Sequence, residues 1–580
     1  MAKDMPDNTA PSMIEDYKRR VEALRSERAV LNSHLEDVAE HILPNGLGFI
    51  GTRVAGEKRM SKVYDETGIN ANELLAASLG GSVTNQSSKW FSIRVLDSTI
   101  TTENGQDVDL NDVPAVKKWR SDVENILFQE MYAPGSNLSP TLDEFYLSLG
   151  AFGTAIYFIG ETTKGRLQFQ SRALHECYVS QNADDVIDEL FRCFKQTVRQ
   201  IMASPDWKPS DKVRELHSKG KYDESIDVCH YVGPRENYDP NKRGRKNMPF
   251  TSCYFETETC HELEQGGFPE FPYVCARWRK YAGETYGRSP GMTALPAVKM
   301  LQAIEVDVIK IMQKLSNPPM WLRDDGVTGA QRTIPGALNF WRGNPNEGIM
   351  QLPTSDKIPI ALDWVEGIRN RIRTVFHNDH NMLLDDRERT LGEAQMRRSE
   401  QMRLQGPVSG RLDAEMLGPT IERVFGILSR KGKIPPAPEV IQERQFTVEF
   451  VSPLANAQKK EQLSGFAELG NYMAPYGEPA MMALAKRINW QRTIDGVWES
   501  LAIDPDWLNT NEETAAIEQK EQQMQQMGMA QQGAQAANDG AGAVNQLADA
   551  QASGGIDMQA LMQRLGPAMA AGAQARQRAA

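Results

Sequence analysis

Two short patterns in the 580-residue chain have the spacing of known chemical signatures. Gly46-x-Gly48-x-x-Gly51 spaces its glycines as a turn that receives a dinucleotide pyrophosphate, and Gly287-x-Ser289-x-Gly291 spaces a serine as a nucleophile elbow does. Physical chemistry argues against both. The pyrophosphate turn needs a strand before it and a helix N-terminus after it. Here a long helical pattern precedes Gly46 and a polar, charged stretch follows Gly51. The elbow takes an oxyanion donor from the backbone N–H of the residue after the serine. That residue is Pro290, which has no N–H, so Ser289 reads as a helix cap.

Metal chemistry has one candidate, His377 and His380 with Asp379, Asp385 and Asp386. Histidines three apart share a helix face, but no further residue has a compelling third-ligand spacing, and polar residues at a helix end are the simpler reading. In Cys229-His230 and Cys260-His261 the neighbours point to opposite faces of a strand, which prevents each pair from gripping one ion. The six cysteines (Cys177, Cys193, Cys229, Cys253, Cys260, Cys275) contain no C-x-x-C and read as reduced thiols, not as a disulfide framework. No G-x-x-x-x-G-K-[ST] loop occurs, which argues against a nucleotide-hydrolysing motor. The turn Lys242-Arg243-Gly244-Arg245-Lys246 carries enough charge to touch phosphates but reads first as a solvated surface loop. The expectation is a protein with no catalytic residues, no metal and no cofactor.

Composition narrows the class. The chain is 40% hydrophobic and 24% charged, ordinary for a globular protein, and long enough for several packing units. Its net charge of −12 argues against tight nucleic-acid binding, which needs a concentrated Lys/Arg face. The polar start lacks an apolar signal segment, and Leu147 to Gly160 is too short and too glycine-rich to cross a bilayer, so no membrane partner and a cytoplasmic site of synthesis are expected.

The elements that must position any site follow from periodicity. Residues 1–13 read as disordered, and a helix then carries Ile14, Tyr17, Val21, Leu24, Leu31, Leu35, Val38 and Ile42 on one stripe until Pro44. A small-residue helix over Asn70–Leu79 ends in a Gly/Ser turn, and another spans Val113–Met131. Residues 142–158 form an apolar block, and strands appear at 166–170, 177–179, 253–257 and 273–278. From Ser289 a helix with the stripe Leu301, Ile304, Val308, Ile311, Leu315 runs to Ser316, with Pro296 marking either a kink or its true start. Asn317-Pro318-Pro319 stops it, and some forty Gly/Pro-rich residues follow with isolated Trp321, Phe340 and Trp341. A second helix from about Ala361 has Trp364, Ile368, Ile372 and Val375 on one face, so two long helices flank a compact tip. A long helix from Thr390 to Lys431, crossed by Glu393–Arg397 and Glu400–Arg403 pairs, is kinked at Gly406-Pro407. A strand over 446–450, helices over about 456–501 and a Gln/Ala/Gly/Met-rich end complete the chain.

Three stretches carry a resemblance. Gly283-Glu284-Thr285-Tyr286-Gly287-Arg288-Ser289-Pro290 leads into Ala294-Leu295-Pro296 and Asn317-Pro318-Pro319. Glu388-Arg389-Thr390, Glu393-Ala394, Arg397 and Glu400 continue to Gly406-Pro407-Val408, Arg411-Leu412, Glu415, Leu417 and Pro419. Ser452-Pro453-Leu454-Ala455 precedes Gln458-Lys459. In this order, over residues 14 to 505, the chain resembles the podovirus-type phage head-to-tail connector (portal) family.

The resemblance implies a mainly helical α+β wedge: wing 14–288, outgoing stem helix 289–317, clip 318–360, returning stem helix 361–380, tunnel loop 381–390, wing helix and strand 391–455, crown 456–510, and a low-complexity tail or barrel over 511–580. It implies a homododecameric ring at a virion vertex, assembled in the host cytoplasm, through which double-stranded viral DNA is packaged and later ejected. The implied partners are terminase, then tail adaptor and nozzle proteins, with major capsid and scaffold proteins around the ring. Asp385, Asp386, Arg387, Glu388, Arg389 and Thr390 fall at the channel-facing loop, and Trp321, Phe340 and Trp341 in the docking clip. Identical wedges joined head to tail close into a ring or run on as a filament. A mixed-charge channel lets a polyanion slide. The alternatives are a metal-dependent nucleic-acid enzyme built on the His377–Asp386 cluster and an internal scaffold protein.

Overall fold

The computed structural model describes residues 13–378 and 408–450, with breaks at 52–55, 96–98, 102–106, 324–331, 342–349, 352–357 and 442–445 and at single positions 88, 163, 243 and 333, plus scattered residues beyond 450. The chain forms two compact units, 1–488 and 489–580, and every element named below lies in the first. It is a mixed α+β structure.

Helix α1 (Met13–Ile42) buries Val21, Leu24, Leu35, Val38 and Ile42 along the expected stripe and ends at Pro44. Helix α2 (Thr67–Val83) runs through Gly80 and Gly81, where the sequence predicts a turn. Gly80 lies against the Tyr146 ring, so packing overrides poor helix propensity there. Strands β1 (Phe91–Val95), β2 (Thr99–Thr101) and β3 (Asp107–Asp109) precede α3 (Pro114–Met131), whose first-turn proline sits where no N–H is needed. The apolar block divides in two: α4 (Leu138–Phe152) ends at Gly153, φ 75°, and β4 (Thr154–Glu161) begins at once.

Strand β5 (Leu167–Arg172) closes a hairpin with β4, and β11 (Tyr273–Arg277) adds to the other edge of β4. Between them lies an antiparallel five-stranded sheet in the order β10-β9-β8-β7-β6. Its strands are β6 (Cys177–Gln181), β7 (Ile187–Thr197), β8 (Ser225–Pro234), β9 (Phe250–Glu256) and β10 (Glu262–Phe268). Helices α5 (Val198–Ala203) and α6 (Asp211–Ser218) bridge β7 and β8. The first half of α1 covers one face of this sheet: the Tyr17 ring lies 4.1 Å from that of Tyr231, with Val21 and Leu24 beside Phe191 and Phe255. Arg28 of α1 is buried and donates to the carbonyls of Leu174, His175 and Cys177, its guanidinium 4.0 Å from the Tyr178 ring centre.

Helix α7 (Pro290–Ser316) starts at Ser289, whose Oγ accepts from the Met292 N–H at 2.8 Å, and Pro296 lies inside the helix rather than at its start. Strands β12 (Met320–Arg323), β13 (Leu338–Trp341) and β14 (Met350–Gln351) form a small sheet in the order β13-β12-β14. Helix α8 (Ile358–Val375) begins a few residues before the expected Ala361. It buries Val365, Ile368, Ile372 and Phe376, while Trp364 is 57% exposed. The expected face is corrected by one position at its start, because the 3-4-4 row begins at Val365. A π-helical turn over Asp413–Leu417 leads into α9 (Gly418–Arg430), and β15 (Phe446–Phe450) pairs antiparallel with β1. The kink foreseen at Gly406-Pro407 and the pairs Glu393–Arg397 and Glu400–Arg403 lie outside the described residues.

The pattern Gly287-x-Ser289-x-Gly291 serves as a docking seam. A Cβ on Gly287 would sit 2.1 Å from the Gly153 carbonyl oxygen, and one on Gly291 would sit 2.7 Å from that of Ala151. The Ser289 hydroxyl donates to the same Ala151 carbonyl at 2.7 Å. The first turn of α7 thus rests on the backbone at the end of α4. Gly287→Ala is expected to lower stability by about 1–3 kcal/mol, the usual cost of overpacking. Gly51→Ala, where a Cβ meets nothing within 4 Å, should stay within about 0.5 kcal/mol. Denaturant midpoints of the two variants check this.

Candidate functional site

The helix pair α7/α8, the sheet at its tip and the chain returning from it form the candidate site. Its base is a polar clamp. The Gln302 side chain on α7 accepts from the N–H groups of Tyr64 (2.6 Å) and Asp65 (3.0 Å) and donates to the Asp65 carbonyl at 2.7 Å. Arg369 on α8 binds Asp65 at 2.8 Å and Glu305 of α7 at 2.8 Å. Asp65 also accepts from the Thr67 N–H at 2.8 Å, at the start of α2. The Asp65 carboxylate thus joins α2 to α8, while its backbone and the Arg369–Glu305 pair bring in α7. Burial pushes the Asp65 carboxyl up, but the Thr67 and Arg369 hydrogen bonds outweigh it and hold it below the ordinary value.

The two halves of α7 differ. Pro290, Met292, Leu295, Val298, Leu301 and Gln302 are buried against the core. Further out, Ile309, Ile311, Met312 and Leu315 are 42%, 39%, 55% and 42% exposed. The expected stripe is therefore covered at Leu301, half-buried at Ile304 and Val308, and open at Ile311 and Leu315. At the tip, Trp321 lies in β12 and Phe340 and Trp341 in β13; the parallel register sets Trp321 against Asn339 and Phe340 against Leu322. The backbone thus brings the three aromatic positions into one sheet. Asn339 is buried and locks the loop before it by exchanging hydrogen bonds with the Arg332 backbone at 2.6 and 2.8 Å.

Asp385, Asp386, Arg387, Glu388, Arg389 and Thr390 lie outside the described residues, as do Asp379 and His380. The chain is anchored on both sides of that segment. Before it, His377 turns the backbone at φ 57° and the buried Asn378 donates to the Ala71 carbonyl at 2.9 Å. After it, Val408 and Leu412 are buried in the main core.

Beyond Leu412 the returning chain is pinned by buried charges that sequence reasoning missed as partners. Arg277, 2% exposed, meets Glu415 of the π-helical turn at 2.7 Å, donates to Gln181 at 3.0 Å and to the Asp185 carbonyl at 2.8 Å, and Arg411 joins Glu415 at 2.9 Å. Glu270 receives Arg423 at 2.6 Å and Arg430, both from α9, and its carboxylate lies in the space a Cβ at Gly426 would take. In the same turn Asp413 has a buried Oδ1 without a hydrogen-bond partner, and burial raises its pKa to about 6.

The remaining motifs resolve into structure. At Gly46-x-Gly48-x-x-Gly51 the Glu36 carboxylate accepts from the N–H groups of Phe49 (2.8 Å) and Gly48 (3.3 Å), placing negative charge where an anion would bind. Cys229 and His230 face opposite sides of their strand. His230 is bonded to Tyr273 at 2.7 Å and Ser252 at 3.0 Å, and burial holds it well below its ordinary pKa. In the second pair, Cys260 turns the backbone at φ 51° and His261 bonds the Lys208 carbonyl at 3.0 Å. Among the described residues no group of three or more His, Cys, Asp or Glu could hold a metal, and no helix is long and apolar enough to cross a membrane. In the basic turn, Lys242 pairs with Asp239 and Arg245 with Glu264, so both are already neutralised locally.

Two outcomes follow from the buried carboxylates. Arg369→Leu leaves Asp65 charged and nearly enclosed, and should destabilise the base by about 2–3 kcal/mol at pH 7. Faster amide exchange in α8 and at the start of α2 reads this. Because Asp65 is held down, the clamp is fully present above its ordinary value of 3.8 and is lost as pH falls through the lower folded value. Asp413 has the opposite sign: its raised pKa imposes no penalty below 3.8, and the penalty grows as pH rises to about 6. Asp413→Asn should therefore stabilise by about 1 kcal/mol at pH 8, after discounting for solvent screening, and have no effect near pH 4. Urea titrations at the two pH values decide it.

Comparison with known proteins identifies the family. Residues 15–508 match the family of bacteriophage head to tail connecting proteins. The probable portal protein of Bordetella phage BPP-1 is 30% identical over 530 residues, covering 89% of this chain and 93% of its own. The portal protein of Salmonella phage epsilon15 is 27% identical over 538 residues, 91% of this chain and 94% of its own. A solved virion of a native gene transfer agent particle aligns with 75% of this chain and 94% of its own at 10% identity and a TM-score of 0.35. With the match running from α1 past β15, the chain belongs to the bacteriophage head to tail connecting protein family.

Proposed function

We propose that this chain is a portal subunit: a structural protein that closes with copies of itself into a ring at one vertex of a phage capsid. The reading rests on the family match, and one observation carries the ring: the outer half of α7 presents Ile309, Ile311, Met312 and Leu315 to solvent. A helix of 27 residues spans about 40 Å, and its outer turns carry apolar side chains that its own subunit leaves uncovered. Head-to-tail packing of identical stems would cover them and close a ring, with twelve copies as the family resemblance implies.

Viral DNA would pass along the stems during packaging and ejection. The charges there are of both signs and paired within the subunit, Asp307 with Lys310 at 3.0 Å and Glu366 with Arg373 at 2.8 Å. A surface so balanced releases few counterions and favours sliding over holding. In this reading residues 289–317 and 361–380 are the stem, 318–360 the clip that takes terminase and then tail adaptor and nozzle proteins, and 381–390 the loop that meets DNA. Residues 14–288 and 391–455 are the wing, 456–510 the crown, and 511–580 a tail or barrel. The capsid and scaffold proteins would surround the wing, and assembly would take place in the host cytoplasm. The comparisons favour this connector reading over a metal-dependent nucleic-acid enzyme.

Negative-stain electron microscopy with solution mass measurement tests the ring. Closed particles with a central hole are expected, and Ile311→Asp with Leu315→Asp should shift the mass towards monomer. A wild-type monomer across salt and concentration would overturn the reading.

A further inference from the structure

Cys193 of β7 and Cys229 of β8 are direct partners in the antiparallel register, and their sulfurs stand 3.0 Å apart with both thiols free. That is within about 1 Å of the bonded separation of about 2.05 Å, and directly opposed strand positions fall in the range that a disulfide can bridge. The two sulfurs are not equivalent. Cys229 is fully buried in the small core beneath α1, whereas Cys193 is partly open to solvent at the edge of that core.

From this juxtaposition we propose that Cys193 and Cys229 are a redox-sensitive modification site, converted to a cross-strand disulfide by a low-molecular-weight disulfide oxidant. This goes beyond the portal reading and does not depend on it. Cys193 gives its proton to solvent, and its thiolate attacks one sulfur of the oxidant. A mixed disulfide forms, the oxidant's S–S bond breaks, and one thiolate leaves. Cys229 then gives up its proton and attacks the Cys193 sulfur, expelling the second thiolate. The two thiolates take up the two protons, so two electrons pass from the protein sulfurs to the oxidant.

The surroundings support that order of events. The S–H of Cys229 hydrogen-bonds Cys193 and holds it below the ordinary thiol value; burial opposes this, and the nearby Arg25 guanidinium adds to the lowering. Burial first, and then the bond to Cys193, push Cys229 well up. The accessible thiol is thus the attacking group and the enclosed one the resolving group, and a mixed disulfide at Cys193 lies within reach of its exit. The other cysteines lack this arrangement: Cys177 and Cys253 are buried with thiols pushed up to about 12, Cys275 is buried and raised by its surroundings, and Cys260 sits in a turn. The bond would close the segment 194–228, which carries α5 and α6, into a covalent loop between two central strands.

The test treats the full-length chain with oxidised glutathione under native conditions, then records intact mass, free thiols by N-ethylmaleimide labelling after denaturation, and a peptide map. The expected result is a loss of about 2 Da for the two thiol hydrogens, four labelled cysteines instead of six, and one linked peptide pair containing Cys193 and Cys229, all reversed by dithiothreitol. Cys193→Ser should keep its other five thiols and take no glutathione at Cys229. Cys193→Ala gives the same reading if the serine disturbs folding, which circular dichroism monitors. Six free thiols after oxidation, a stable glutathione adduct on Cys193, or a linkage between other cysteines would each overturn the proposal.

Discussion

The contact on which the rest of this fold depends is backbone against backbone, where the first turn of α7 rests on the last turn of α4. Gly153, Gly287 and Gly291 leave no room for a side chain, and the Ser289 hydroxyl bridges the two segments by capping α7 while bonding the Ala151 carbonyl. Such a contact fixes direction as well as position, since two backbones in van der Waals contact cannot rock as two layers of side chains can. Everything distal on α7 inherits its angle from this seam. A second anchor, Gln302 with Asp65 and Arg369, then holds α8 and α2 to the same axis.

A different device holds the π-helical turn and α9 to the strands beneath them. Arg277, Glu415, Glu270 and Arg423 are charged groups largely removed from water, and each meets an opposite charge or several acceptors. Ion pairs of this kind add little net stability over apolar packing of the same volume, but breaking one leaves a stranded charge. Their effect is to forbid alternatives: a slipped register between β11 and the π-helical turn would strand Arg277. Glu415, which meets that arginine, and Asp413, whose Oδ1 is buried without a hydrogen-bond partner, both lie in the π-helical turn Asp413–Leu417.

Local signals carried much of the architecture. The stripe of α1, the cap of α7, the proline starts and stops, and β15 were all readable, because each depends on residues within a turn or two of one another. The misreadings have a common cause. Gly80 and Gly81 are helical because of Tyr146, and Phe152-Gly153-Thr154 divides helix from strand because of what packs on each side. Exposure of Trp364 in place of Val365 depends on where α7 lies. The pairs Asp65–Arg369 and Arg277–Glu415 join residues 304 and 138 positions apart, and no spacing rule reaches that far. Of the proposed site residues, the tip aromatics were placed in one sheet by the backbone, while 385–390 lie outside the described residues.

The unequal burial along α7 has a consequence for the life history of the chain. Its inner half is consolidated as soon as α1, α2 and α4 have folded, because its partners lie in the same subunit. The outer half leaves Ile309, Ile311, Met312 and Leu315 exposed, and in the proposed ring it would wait for a neighbour. On the portal reading, a newly made subunit would therefore carry an interval between folding and completion, during which these exposed apolar turns would stay in solution only if copies were few or partners near. Supply of the chain would have to be matched to the rate at which rings are nucleated, and an excess would be diverted into open, non-closing arrays.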